Sequence, residues 1–109
     1  DSRIKQVLVN LIKNSIESLR DPKTGKISIT ISTVIKQKQI FLVLRIQDNG
    51  MGIPEAVQHQ LFTPYFSTKS NGTGLGLVIV KNILEEHHGT ISCESKIGEG
   101  TGFILELPY

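Results

Sequence analysis

The chain has 109 residues, 39% hydrophobic and 20% charged, and its twelve basic and ten acidic side chains leave a formal net charge of +2. That composition suits one globular domain with its own core, and so even a charge balance excludes the basic footprint of a nucleic-acid surface, the densest basic run being "KQK" at 36–38. No apolar run approaches the roughly 20 residues of a membrane helix, "DSRIKQVLVNLIKNSIESL" is amphipathic and not a signal peptide, and the lone Cys93 has no internal disulfide partner, as in a reducing compartment. A cytoplasmic domain without membrane contact is expected. The abrupt start in a helical pattern and the end at "LELPY" make residues 1–109 the expected extent of one domain cut from a larger protein, which can itself be membrane-anchored. "NGT" at Asn71 is taken as a chance sequon.

Residues 2–20 place Ile4, Val7, Leu8, Leu11, Ile12 and Leu19 at helical spacing, with Asp1 or Ser2 as N-cap and Pro22 beyond the end. At about 100° per residue, Asn10 and Asn14 fall on one line at the rim of the apolar stripe, while Lys5, Lys13 and Arg20 project elsewhere. "KISITIS" from Lys26 alternates Ile27, Ile29 and Ile31 with Ser28, Thr30 and Ser32, which predicts a half-buried strand. After "KQKQ", "IFLVLRIQ" is nearly continuous in apolar residues and predicts the more central partner of a hairpin, with Asp48 at its end. Pro54 suits the first turn of a short helix in "PEAVQHQLF", and "TPYFSTKSNGTG" has no period and predicts a loop. "LGLVIVKNILEEHH" predicts a second long helix closed by Gly89 as its C′ residue, and "TISCES", a turn at "KIGEG" and "TGFILEL" predict a final hairpin. Helices and antiparallel strands in this order give an α+β class, a two-layer sandwich with helices on one face of the sheet.

Four features stand in a fixed order: Asn10 and Asn14 on a helix; Asp48, Gly50 and Gly52 after a strand; Lys69 in a loop; and "GTGLGL" at 72–77 opening a helix. Singly, each has a dull explanation as a surface amide, a turn, a solvated charge or a flexible loop. Together they describe a nucleotide site. Gly72, Gly74 and Gly76 let backbone approach a ligand, and the helix that follows offers unpaired N–H groups and a positive dipole end to phosphate. The amide oxygen of Asn14 can ligate a divalent ion that keeps several waters, Asn10 can hold one of those waters, and Lys69 adds charge for the terminal phosphate. A buried Asp48 accepts from an exocyclic amine and so selects adenine over guanine, whose carbonyl would meet it lone pair to lone pair. Gly50 and Gly52 are expected to keep Cβ atoms out of the base's way. A dinucleotide fingerprint fails on spacing, a Walker loop lacks G-K-[ST], and "DNGMG" lacks the repeated acids of an EF-hand.

"QVLVNLIKNSIES", "DNGMGIP", "LFTPYFSTK", "GTGLGL" and "GEGTGFILELP" resemble, in order, the N box, first glycine box, F box, second glycine box and third glycine box of the catalytic ATP-binding domain of two-component sensor histidine kinases. The resemblance covers nearly the whole chain. It implies the Bergerat ATP-binding fold, a mixed sheet under helices with an ATP lid between the F box and the second glycine box. It also implies Asn14 as the Mg²⁺ ligand supported by Asn10, Asp48 as the adenine reader, and Gly50, Gly52 and Ile53 shaping that end. Lys69, Thr73, Gly74, Leu75, Gly76 and Leu77 are implied at the phosphates, largely through backbone N–H groups, and Thr101 at the adenine through water. The implied cofactors are ATP and Mg²⁺.

Two departures stand out. Many members of that family carry a Lys three residues after the second Asn, where this chain has Glu17, and only "SN" separates Lys69 from the second glycine box. The short lid resembles the nitrogen-regulatory and sporulation-type kinases. ATPases of the same fold resemble one another in a Glu one turn before the Mg²⁺ Asn; here that position is Asn10, an amide that cannot take a proton from water. Phosphotransfer is therefore expected over hydrolysis, with a nucleotide-gated binding module as the alternative. The acceptor histidine is expected on a separate dimerisation domain of the same, homodimeric kinase, which passes the group to a response regulator. "HQLFTP" from His59 to Pro64 has the acceptor spacing but not its acid, and His59 is expected to be a surface residue. His87 and His88 end a helix, where cations suit the dipole, and are expected to be structural.

Overall fold

A computed structural model describes residues 2–19, 21, 23–58, 60–62 and 76–108. The elements are α1 (Ser2–Ser18), β1 (Ile27–Lys36), β2 (Gln39–Asp48), α2 (Glu55–Gln58), α3 (Gly76–Glu86), β3 (Thr90–Lys96) and β4 (Gly100–Pro108), in the expected order. The strands lie side by side as β1-β2-β4-β3. All three pairings are antiparallel, which corrects the expectation of a mixed sheet for the described strands. The reason lies in the connections. The chain returns through α3 so that β3 runs in the same sense as β2, but the next tight turn folds β4 back into the slot between them, and the two like-directed strands never become neighbours.

Register decides which side chains meet the helices. Ile46 lies opposite Phe103 and Leu44 opposite Leu105, so alternate residues of β2 and β4 share one face. Against that face α1 buries Val7 and Leu11, and α3 buries Val80, Ile83 and Leu84, positions that recur at helical spacing. Each fully buried side chain of this size is worth about 1.5–3 kcal/mol, and the cluster holds the helical layer on the sheet.

The half-buried face expected of β1 is only partly realised. Ile29 and Ile31 pair with Ile46 and Leu44 and so point to the helix side, yet they are 49% and 67% exposed. α1 packs over β2 and β4, and α3 over β3, so β1 overhangs the helical layer and only Ile27 packs against the core. The hairpin between β1 and β2 turns on two residues, Gln37 at φ 49° and Lys38 at φ 67°, as a right-twisted two-residue turn requires. At the end of α3 the left-handed residue is His88, φ 62°, and not the expected Gly89. The N–H of His88 donates to Glu85 O at 3.0 Å and that of Gly89 to Leu84 O at 2.7 Å, the paired bonds of a Schellman cap with Gly89 one position later. Glycine is needed there for space, since a Cβ would sit 2.6 Å from Glu106 O and 2.5 Å from a Leu107 methyl.

Candidate functional site

Asp48 closes β2 on the helix side of the sheet and is 3% exposed. A carboxylate so deeply buried needs donors, and the chain supplies two from its own backbone. Oδ1 accepts from the N–H of Gly50 at 2.8 Å and from that of Thr101 at 3.2 Å. The first bond curls the chain into an Asx turn just past the strand. The second ties β2 to the start of β4. Both donors occupy Oδ1, and among the described residues no donor is directed to Oδ2.

The segment after Asp48 is stitched into the fold at both ends. Asn49 holds the connection between α1 and β1, accepting from Lys26 N at 2.7 Å and donating to Thr24 O at 3.1 Å. Met51 N donates to Ser18 O at 3.0 Å, and Met51 O accepts from Gly98 N at 2.8 Å. This changes what the two glycines do. A Cβ on Gly50 would lie 2.4 Å from Ser18 O, and one on Gly52, at φ 80°, would lie 2.1 Å from Lys96 O. The space that they leave, expected to clear a base, is filled by the chain's own backbone at the end of α1 and the β3–β4 turn.

Beside this segment lies a hydroxyl cluster. Ser95 Oγ accepts from Ile53 N–H at 2.7 Å, donates to Gly100 O at 2.8 Å and lies 2.9 Å from Thr101 Oγ1. Gln58 Nε2 donates to Ile53 O at 2.9 Å and to Ser95 O at 3.0 Å. Thr101 is 3% exposed and shares the cluster with Asp48 through its own N–H. Cys93, one inward position earlier on β3, has its thiol pushed up to about 11, by burial first and then by the negative charge of Asp48 and Glu94. It is a neutral thiol at physiological pH. A cavity of about 510 Å³ opens at this edge, lined among others by Gln47, Gln58, Cys93, Ser95 and Gly100.

The amides expected at the phosphate end stand on α1. Asn10 and Asn14 are both half-buried on α1, on the same line of the helix as Arg3, which forms an ion pair with Glu86 at the end of α3. The start of α1 thus meets the end of α3. Eleven residues further on, about 16 Å of helix, Asn14 lies towards the other end of α1. Helix N-termini carry unpaired N–H groups and partial positive charge. The amide oxygens of Asn10 and Asn14, one turn apart on α1, suit a hard cation that keeps part of its water.

Of the expected site residues, the structure brings Asp48, Gly50 and Thr101 into direct hydrogen bonding and sets Gly52 and Ile53 in the adjoining turn. The backbone N–H and C=O of Ile53 are already engaged by Ser95 and Gln58, which leaves its half-buried side chain for contact. Leu77 packs its side chain against the core, which leaves only its backbone for the expected role at the start of α3. Lys69, Thr73, Gly74 and Leu75, the lid, His59 and most of the F box lie outside the described residues. His87 directs Nδ1 to Ile83 O at 2.8 Å, in keeping with a structural role. Ser95 and Gln58 escaped sequence reading. The available signal was parity: Ile91, Cys93 and Ser95 share one face of β3, and a hydroxyl where a third apolar residue belongs marks the change from core to site.

The whole chain, residues 1–109, matches the family described as histidine kinase-, DNA gyrase B- and HSP90-like ATPases. Sporulation kinase B of Bacillus subtilis (strain 168) is 42% identical over 107 residues, 98% of this chain and 24% of its own length. Sensor histidine kinase ZraS of Escherichia coli (strain K12) is 42% identical over 106 residues, 97% of this chain and 22% of its own. The chain thus spans about a quarter of the length of these curated relatives. Among solved structures, a nucleotide-free form of the catalytic domain of histidine kinase ThkA aligns with a TM-score of 0.81 at 40% identity, over 98% of this chain and 66% of that one. The mycobacterial sensor histidine kinase MprB aligns with a TM-score of 0.84 at 25% identity, over 98% and 70%. By its full-length match and its two-layer fold the chain belongs to the histidine kinase-, DNA gyrase B- and HSP90-like ATPases, and its relatives there are sensor histidine kinases.

Proposed function

We propose that this chain binds Mg-ATP and acts as the catalytic domain of a sensor histidine kinase, delivering the γ-phosphoryl group to a histidine on a separate dimerisation domain of the same kinase. A response regulator then takes the group from that histidine. The observation that carries this reading is Asp48, a buried carboxylate anchored through Oδ1 by two backbone N–H groups, with Thr101 beside it. An acceptor so placed takes the 6-amino group of adenine, and guanine's carbonyl would meet it without a hydrogen, at a cost of about 1–3 kcal/mol.

At the phosphate end, Asn14 would hold Mg²⁺ through its amide oxygen, with Asn10 one turn earlier supporting a water. The ion, when bound, offsets the charge of the phosphates. Gly76 opens α3 with unpaired backbone donors for them, and Lys69, Thr73, Gly74 and Leu75 complete the cradle by the family resemblance. No carboxylate stands at Asn10 to take a proton from water, so bound ATP awaits a nucleophile from another domain.

The test is a thermal melt with no nucleotide, with Mg-ATP and with Mg-GTP. At ten times its dissociation constant a ligand adds about 1.4 kcal/mol, roughly 5–10 °C for a chain of this size. We expect an ATP-only shift that Asp48→Asn abolishes; the amide still accepts from Gly50 and Thr101, so the fold holds while the outward acceptor is lost. Labelled ATP plus the dimerisation domain in trans should then yield phosphohistidine. No shift in folded protein would overturn the nucleotide site, and an ATP-loaded domain that never labels its partner would overturn the kinase.

A further inference from the structure

We infer that Glu17 makes nucleotide binding by this chain conditional on the divalent ion: its carboxylate stands with the amides of Asn10 and Asn14 as a donor for the cation and repels a phosphate chain that arrives without one. The inference rests on the nucleotide reading above and adds to it a residue in the last turn of α1.

Helical geometry groups the three side chains. At about 100° per residue, Glu17 falls about 20° from the line of Asn10 and about 60° from that of Asn14, and residues three or four apart on a helix have Cβ atoms about 5–6 Å from each other. The amides are half-buried and Glu17 is exposed, so its arm can reach the solvent side of whatever the amides hold. The same turn abuts the segment that follows Asp48: Met51 N–H donates to Ser18 O at 3.0 Å, and Gly50 packs against Ser18. A nucleotide with its base at Asp48 and its phosphates at Asn14 lies along this end of α1, and position 17 neighbours those phosphates.

Charge gives that position a sign. The last turn of a helix carries partial negative charge, α1 has no basic residue in it, and Ser15 O, Ile16 O and Ser18 O are engaged by Ser18 Oγ, Leu19 N–H and Met51 N–H. Glu17 adds a full negative charge to this end. Bare ATP meets repulsion there, whereas a divalent ion finds two amide oxygens and a carboxylate, hard donors of the kind that Mg²⁺ takes while keeping several waters. Lys13 neighbours Glu17 one turn back, on the flank away from the amides, but an exposed pair of that kind is worth little, and a unit change of charge at position 17 acts on the phosphates in either case.

The experiment is calorimetric titration with ATP in excess Mg²⁺ and with ATP in EDTA, at one ionic strength, read as the ratio of the two dissociation constants. Glu17→Gln should narrow that ratio about 3- to 5-fold, chiefly by tightening bare ATP, which is the scale of one exposed unit charge acting through water on the charges by which the metal complex and the bare nucleotide differ. Glu17→Lys should narrow it by a similar factor again, and both substitutes are good helix formers. Glu106→Gln, on the sheet face away from the helices, should leave the ratio unchanged. An unchanged or widened ratio in Glu17→Gln, no further step in Glu17→Lys, or an equal narrowing in Glu106→Gln would overturn the inference while the nucleotide site stands. Where bare ATP does not bind the unsubstituted chain, Glu17→Lys should gain that binding, and failure to gain it would overturn the inference equally. Absence of Mg-ATP binding by the unsubstituted protein would overturn both.

Discussion

Ser15 offers a sharp test of the packing. It lies on the buried stripe of α1, is 1% exposed, and its Oγ has no hydrogen-bond partner among the described residues. A buried hydroxyl without a partner costs about 1–3 kcal/mol of desolvation, and Ser in a helix interior is a few tenths of a kcal/mol poorer than Ala, on a scale that spans about 0.7 kcal/mol for ordinary residues. Removing one oxygen leaves a void smaller than a methyl group, whose cost is a fraction of those gains. Ser15→Ala should thus raise stability by about 1–2 kcal/mol, which for this length moves the melting temperature roughly 4–14 °C. The assay is urea unfolding followed by far-ultraviolet circular dichroism, read as a higher midpoint at an unchanged slope. An unchanged or lowered midpoint would refute the reasoning, because it would mean that the hydroxyl has a partner in solution, such as the carbonyl one turn back or an enclosed water.

Gly52→Ala should destabilise the fold by about 2 kcal/mol or more, since it adds a left-handed penalty of roughly 1–2 kcal/mol to a Cβ placed 2.1 Å from Lys96 O; denaturant unfolding measures it. Ile31→Thr, in contrast, should leave stability within about 0.5 kcal/mol, because Ile31 is 67% exposed and both residues favour strands; equal midpoints would bear this out. Cys93 should react slowly with iodoacetamide at neutral pH and faster as pH climbs towards about 11, because the folded thiol keeps its proton. The unfolded thiol ionises near its ordinary value of 9.0, so the unfolded chain loses protons first and stability should fall between about pH 9 and 11; Cys93→Ala should flatten that part of the profile.

Local chemistry in the sequence determined a good deal of this protein. Periods of 3.6 and 2, one continuous apolar run and the turn residues located the helices and strands that the structure describes, a strand ending in "DNGMG" placed Asp48 where backbone donors gather, and the ordered boxes pointed to a nucleotide. These are properties that neighbours in the chain impose on one another. Period tells which face a side chain takes but not whether another layer covers it, and so only the packed structure exposes Ile29 and Ile31 on an overhanging strand. Close approach is equally unreadable from a glycine: Gly50 and Gly52 clear room for the backbone at Ser18 and Lys96, and Gly89 leaves the left-handed cap to His88 because β4 crowds it. The hydroxyl cluster is the clearest case. Ser95 meets Ile53 across 42 positions of sequence and Thr101 meets Asp48 across 53, so the hydrogen bonding beside Asp48 is set by partners that come together only when the sheet has formed.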